Sequence, residues 1–394
     1  MRISGRVVLS SADRIQRLPA PFLSELRDLR SAMERRGREV VDLGRYAVRV
    51  PFASNVDTVE VSSERVRSVF GEYLQQQHGV EIDPARQMLL LPGARVAMLL
   101  IAAYMGDDDT VFHVPDPGYE AYRVSALLFG AKVKAYALYQ RNDYLPNLEI
   151  FSERPPKSAR VMFVNSPHNP TGAVCDHAFY ERMRKTAATA NLFVIADSSY
   201  ALSSAGNFRP ALFCENPRRL RVGLEMFSFS TTLCAPELKL TALVGNKTLI
   251  QPLAALARLL SLEAAQASIR ATSGAFSTVT ALTNHINKCR EELARRTAIM
   301  TDELKSAGIE HYPVCPAGYV WVKLRHRRVS LSFARSLLRQ RGILVAPGSA
   351  FGEQGEGWVR VTANVGGEQL AKAMNTFVRH FQPIRSRIEE IRHE

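Results

Sequence analysis

Residues 160–200 read RVMFVNSPHNPTGAVCDHAFYERMRKTAATANLFVIADSSY, and the fold turns on how that stretch is divided. RVMFVNS and LFVIAD are short apolar runs of strand length, and DHAFYERMRKTAATA between them has the spacing of a helix. A strand, a helix and a second strand in that order imply two parallel strands with a crossover helix packed on the sheet. The turn after the first strand, SPHNPTG, is stiffened by two prolines and ended by a glycine, and it carries polar groups at a strand end.

The same alternation extends in both directions. MLLLP (88–92), TVFHVP (110–115), KVKAYAL (132–138), EMFSFS (225–230) and LTALVG (240–245) also read as strands, and ARVAMLLIAAYM is helical. The sequence therefore predicts an α/β fold with a mostly parallel seven-stranded sheet and helices on both faces. Ligands in such folds gather beyond the carboxyl ends of the strands. A long helical region is expected from about Leu249 to Ala307. After it the pattern becomes strand (GYVWVKL), glycine-ended helix (SLSFARSLLRQRG) and strand (GWVRVTAN), which is a smaller α+β domain. Ile15, Leu18, Phe22, Leu26, Leu29 and Met33 recur at helical spacing, but Pro19 and Pro21 place the start of a continuous helix near Pro21. The expected division is 1–45 joining the small domain, 46–295 as the large domain and 296–394 as the small one.

Composition narrows the function classes. The chain has 394 residues, 46% hydrophobic and 23% charged, which suits two soluble globular domains. Its start, MRISGRVVLSSADR, lacks an apolar signal core. The most apolar stretch, from Met88 to Met105, is broken by Pro92, Gly93 and Arg95, so no membrane span is expected. Cys175, Cys214, Cys234, Cys289 and Cys315 have no metal-ligand spacing, and their odd number suits reduced thiols; no metal and a cytoplasmic location are expected. The net charge of +13 comes from arginines spread along the chain without a nucleic-acid-reading motif. A basic surface that draws small anions accounts for it.

Three segments place chemistry at strand ends. Asn165 and Asn169 stand in the proline turn. Asp197 ends an apolar strand, where a carboxylate must find a partner or reach a cleft. Gly93-Ala94-Arg95 opens a helix directly after a strand, presenting backbone N–H groups to an anion such as phosphate.

Together with PDPGYEAY, SFSTTLCAPELKL and VAPGSAFGEQGEGWVRV, these segments resemble, in order and over nearly the whole chain, the class I/II aminotransferases of fold type I. The run SFS-x5-P-x-L-K-L also resembles the 1-aminocyclopropane-1-carboxylate synthase side of that family. The resemblance implies pyridoxal 5'-phosphate (PLP) or pyridoxamine 5'-phosphate as cofactor, an amino acid or 2-keto acid as substrate, a biosynthetic role and a homodimer. Ala94 and Arg95 would then offer N–H groups to the cofactor phosphate, with hydroxyls from Ser228 and Ser230. Tyr119 would stack on the pyridine ring. Asn169 and Tyr200 would bond its phenolic oxygen, and Asp197 would pair with the ring nitrogen. Arg360 would grip the substrate carboxylate with its fork of donors.

The sequence also departs from that pattern. Where the family keeps the lysine that links to the cofactor and moves the proton, this chain has Thr231, whose hydroxyl is a poor base near neutral pH. Lys239 stands for the phosphate-binding arginine and keeps charge without the bidentate grip. Thr241 stands for a glycine, and Ser198 for a glutamate. No counterpart of the segment that reaches the neighbouring subunit's phosphate is recognisable around NVDTVEVSSERVRSVF, and DLGRYAVRVP only faintly matches the substrate loop. The elements that hold the ring persist, while the covalent and phosphate elements differ. This split suits an enzyme of the family with altered chemistry and a non-covalent cofactor. Other readings are a non-catalytic homologue that binds or regulates, or a cofactor-free enzyme reusing the pocket. An ordinary aminotransferase or lyase with an exchanged lysine fits less well, because Lys239, Thr241 and Ser198 differ too.

Overall fold

The computed structural model describes residues 13–16, 18, 24–51, 62–151, 158–204, 209–272, 274–312, 317–325 and 329–381. Its strands are β1 (Val41–Asp42), β2 (Met88–Leu91), β3 (Val111–Asp116), β4 (Lys132–Ala137), β5 (Arg160–Asn165), β6 (Leu192–Asp197), β7 (Gly223–Ser228), β8 (Thr241–Val244), β9 (Tyr319–Lys323), β10 (Ile343–Leu344), β11 (Ala346–Pro347) and β12 (Trp358–Thr362). Strands β2 to β8 make one seven-stranded sheet in the order β2-β8-β7-β6-β5-β3-β4. All its pairs are parallel except those of β8, which runs antiparallel to both β2 and β7.

Because successive strand residues point to opposite faces, each strand feeds two cores. Val161, Phe163, Ile195 and Met226 pack on one side with the helix Ala94–Met105. Met162, Val164, Val194 and Phe227 pack on the other with the helices Ser63–His78 and His177–Thr189. Parallel strands buried on both faces read as unbroken apolar runs, which is why RVMFVN and LFVIAD are so visible in the sequence.

A third core joins Leu26, Met33 and Leu43 to β9, β12 and the helices Ser330–Arg341 and Gly367–Phe381. Here β11, β12 and β9 form an antiparallel sheet, and β1 pairs in parallel with β10. The N-terminal helix is Ser24–Arg35; Pro19 and Pro21, where its start was expected to be set, lie outside the described residues. The expected long helical region is interrupted twice, giving Lys247–Leu259, Gln266–Ala271 and Val279–Ser306. The last begins where the Thr278 hydroxyl accepts the Ala281 N–H at 3.0 Å, a side-chain cap that starts a new helix.

The C-terminal loop is fastened to the large sheet at the end of β3. Asp116 accepts the N–H groups of Gln354 (2.9 Å) and Glu353 (3.2 Å), and the Gly118 N–H donates to the Phe351 carbonyl at 2.7 Å. This brings Arg360 over the strand ends. No helix among the described residues is long and apolar enough to cross a membrane.

Candidate active site

Parallel register sets the floor of the site. Asn165 pairs with Asp197 at the last position of β5 and β6, so both side chains emerge at the same edge. The Asn165 amide donates to the Asp197 carbonyl (2.7 Å) and its oxygen accepts the Asn169 N–H (2.7 Å), which ties the proline turn to the neighbouring strand. Asp197 is enclosed. Its Oδ2 accepts the Tyr122 hydroxyl at 2.6 Å, and its Oδ1 accepts both the N–H and the hydroxyl of Ser199. Burial pushes the Asp197 carboxyl above its usual range, and the Ser199 and Tyr122 hydrogen bonds oppose that shift.

Tyr119 ends the segment between β3 and the helix Glu120–Leu128. Its hydroxyl accepts Arg95 Nε at 2.7 Å, with the guanidinium carbon 5.6 Å from the ring centre. Arg95 lies in the first turn of the helix Ala94–Met105. The cap there, Gly93, has φ +97°, a conformation that favours glycine, and it makes no side-chain capping bond. That helix start therefore lacks an intramolecular cap, a setting that suits an anion. Lys239 passes close by, because a Cβ on Gly93 would lie 3.9 Å from its Cα. Its ammonium turns back to the Pro236 carbonyl at 3.3 Å.

Ser228 ends β7, and its hydroxyl lies 3.4 Å from that of Ser230, which donates to the Leu238 carbonyl at 2.6 Å. Thr231 follows in the short helix Phe229–Thr232. Its hydroxyl meets the carbonyl oxygens of Ser199 and Ser228, the second at 2.9 Å. Thr241 is wholly buried beside Leu91 and Ser228 in the sheet, and its hydroxyl has no partner among the described residues.

Arg360 comes from β12 and is buried. One terminal nitrogen donates to Asn169 Oδ1, the other to the Gly44 carbonyl at 2.8 Å, and Nε has no partner among the described residues. No carboxylate pairs with it among the described residues. Burial lowers its pKa from the usual guanidinium range, and Tyr200, Tyr319, Tyr119 and Tyr46 oppose the change. Tyr200, Tyr319 and Tyr46 pack edge to face, with ring centres 5.1 to 6.1 Å apart.

The sequence reading missed several of these residues. Tyr122 lies three residues after Tyr119 in PDPGYEAY, in the first turn of the helix that Tyr119 precedes, so that spacing held the signal. Tyr46, in the faint DLGRYAVRVP match, and Tyr319, in GYVWVKL, had no local pattern that marked them. Ser198 donates to Glu225, a wholly buried carboxylate that also accepts the Phe213 (3.0 Å) and Cys214 (2.8 Å) N–H groups.

Chemically, the strand ends present an enclosed carboxylate for a cationic ring N–H, an uncapped helix start for a phosphate and a buried guanidinium for a carboxylate. They present no amine at residue 231. Residues 61–377 match the model of the family described as aminotransferase class I and II. The chain belongs to that family, the fold-type I enzymes that depend on PLP and act on amino and keto acids. It is 28% identical over 390 residues to the LL-diaminopimelate aminotransferase of Syntrophobacter fumaroxidans, covering 92% of this chain and 97% of that one. It is 30% identical over 313 residues to the enzyme of that name from Dehalococcoides mccartyi, covering 78% and 79%. Among solved structures, substrate-bound BacF from Bacillus subtilis superposes with a TM-score of 0.85 at 22% identity, covering 95% of this chain and 99% of that one. The aromatic aminotransferase from Pyrococcus horikoshii gives 0.80 at 22%, covering 95% and 98%.

Proposed function

We propose that this chain is a biosynthetic member of the family that acts on an amino acid or 2-keto acid and holds PLP or pyridoxamine phosphate without a covalent anchor. The observation that carries this reading is the pair of buried, opposite charges, Asp197 and Arg360, facing the same strand-end site. A buried carboxylate and a buried guanidinium that do not pair with each other are costly, and a cationic ring and an anionic substrate would each relieve one of them. When bound, the cofactor supplies an electron sink next to the substrate's α-carbon. Asp197 would hold the proton on the ring nitrogen, with Tyr122 and Ser199 fixing the carboxylate's orientation. Tyr119 would lie on the ring. Ala94, Arg95, Ser228, Ser230 and Lys239 would surround the phosphate, and Asn169 and Tyr200 the phenolic oxygen. Arg360 would orient the substrate by its carboxylate.

The similarity to enzymes named LL-diaminopimelate aminotransferase supports amino-acid biosynthesis as the setting. At 28–30% identity the reading carries over an amino or keto acid and no particular side chain. The position of Thr231, its hydroxyl against two backbone carbonyls, favours a second reading in which the chain binds without turning over. A homodimer is part of the proposal; Leu259 and Leu260, 83% and 50% exposed, are apolar surface that a second subunit would cover. A native mass spectrum after incubation with PLP tests the cofactor. The expected result is a non-covalent adduct that is lost on denaturation and weakened by Asp197→Ala. Absence of any adduct with PLP and with pyridoxamine phosphate would remove the cofactor from the function.

A further inference from the structure

A cleft of about 390 Å³ opens at the β4 edge of the large sheet, lined by that strand, by His113 of β3 and by residues between 139 and 150. It is separate from the strand-end site: His113 stands three residues before Asp116, about 10 Å back along the strand. We propose that this cleft binds a small organic phosphate of nucleotide size, with the phosphate held between Lys134, Arg141 and the imidazole of His113.

Charge is the first argument. Lys134 and Arg141 both line the cleft, and no carboxylate does among the described residues. Neither makes an ion pair among the described residues. The Arg141 guanidinium is already positioned, 4.0 Å over the Tyr139 ring, which leaves its outer face and its N–H groups for a ligand. Arg160 adds positive charge behind His113. It is buried, and among the described residues it has no ion pair and its Nε no partner.

The second argument is His113 itself. It is only 7% exposed, yet it lines the cleft and makes no hydrogen bond among the described residues. Parallel register places it beside Lys134, and its ring packs edge-on against Phe151 at 4.8 Å. Burial, Arg160 and Lys134 push its pKa down to about 4, so the ring is neutral near neutral pH and offers one N–H donor. That N–H stands in the cleft with Lys134 and Arg141, where a bound phosphate oxygen would accept it.

Size and lining argue for an organic body rather than a bare ion. The volume falls in the usual range of about 300–1,000 Å³ for small-molecule sites. Ile150, 47% exposed, and Ala137 give an apolar wall, and the amides of Asn142 and Asn147 can meet polar edges of a base or sugar.

Adenosine 5'-monophosphate is the probe, followed by calorimetry and by the histidine ring resonances in NMR, with His113 assigned from His113→Gln. The expected result is saturable binding that shifts the His113 resonance and weakens at least tenfold in the double variant Lys134→Gln, Arg141→Gln, but is unchanged in Arg360→Ala. Should His113→Gln fail to fold, the double variant of two surface residues still reports binding by calorimetry. The proposal is overturned if the probe binds the double variant as tightly as the wild type, or if adenosine without phosphate binds equally well. It is also overturned if inorganic phosphate binds as tightly as the nucleotide, which would mark an adventitious anion, or if succinate competes at equal concentration.

Discussion

The hydroxyl of Tyr122 donates to Oδ2 of Asp197 at 2.6 Å, and both groups are buried. Burial alone would favour the protonated acid, and this hydrogen bond, with those from Ser199, favours the carboxylate that a ring N–H would need. Tyr122→Phe should therefore raise the Asp197 pKa further and lower stability by about 1.5–3 kcal/mol, the usual range for a hydrogen bond to a charged group. Urea unfolding measures the second effect and carboxyl NMR the first. Asp197→Ala should weaken PLP retention or shift its absorbance more than Asp197→Glu, and indifference to both would remove the case for a pyridine ligand.

The strand-end positions of Asp197 and Asn165 were legible in the sequence, for a physical reason. Asp197 and Asn165 end apolar runs, and parallel strands buried on both faces leave few other places for polar groups. The direction of β8 was not legible, because LTALVG is equally apolar read either way. Nor was the bond from Arg360 to Asn169, which spans 191 residues and depends on where the C-terminal loop docks at Asp116. Tyr46 and Tyr319 meet Tyr200 only in the folded chain.

Glu225 gives a pH prediction. It is wholly buried, and burial raises its pKa despite the bonds from Cys214, Ser198 and Phe213. In the window between the ordinary glutamate value and the raised one, the folded chain binds more protons than the unfolded chain. Stability from this group is therefore greatest at low pH and falls as pH rises through that window. Glu225→Gln should flatten that decline in melting temperature as pH rises above the ordinary glutamate value; an unchanged slope would assign it to other groups. Ser198→Ala should destabilise by about 1.5–3 kcal/mol.

Arg360 should hold a carboxylate. Its fork already spends one terminal nitrogen on Asn169 and one on Gly44, leaving its remaining donors for a ligand. Arg360→Ala should weaken amino-acid binding about ten- to a hundredfold, and Arg360→Lys should not restore it, since an ammonium lacks the fork geometry. Equal affinity in wild type and Arg360→Ala, measured by calorimetry, would refute the assignment.

The proposed dimer predicts a sedimentation coefficient for two chains at micromolar concentration. Substituting Leu259 and Leu260 by glutamate should shift the population towards monomer, because buried like charges would face each other across a two-fold interface. A wild-type monomer at that concentration would count against a shared site.

Thr231 discriminates most sharply between an altered enzyme and a binding homologue. Its hydroxyl is held by the Ser199 and Ser228 carbonyls and supplies no amine. Thr231→Lys should place an amine near the cofactor's aldehyde carbon, and borohydride should then fix PLP covalently to residue 231, as peptide mass spectrometry would detect. The wild type should give no such adduct. Loss of a general base costs about a hundred- to ten-thousandfold in rate, so restored turnover of that size would mean that the lysine alone was missing. Restored attachment without turnover would mean that Lys239, Thr241 and Ser198 also matter, which favours altered chemistry or a regulatory role. A covalent adduct in the wild type at another lysine, such as Lys239 beside Gly93, would show that the reactive position lies elsewhere in the site.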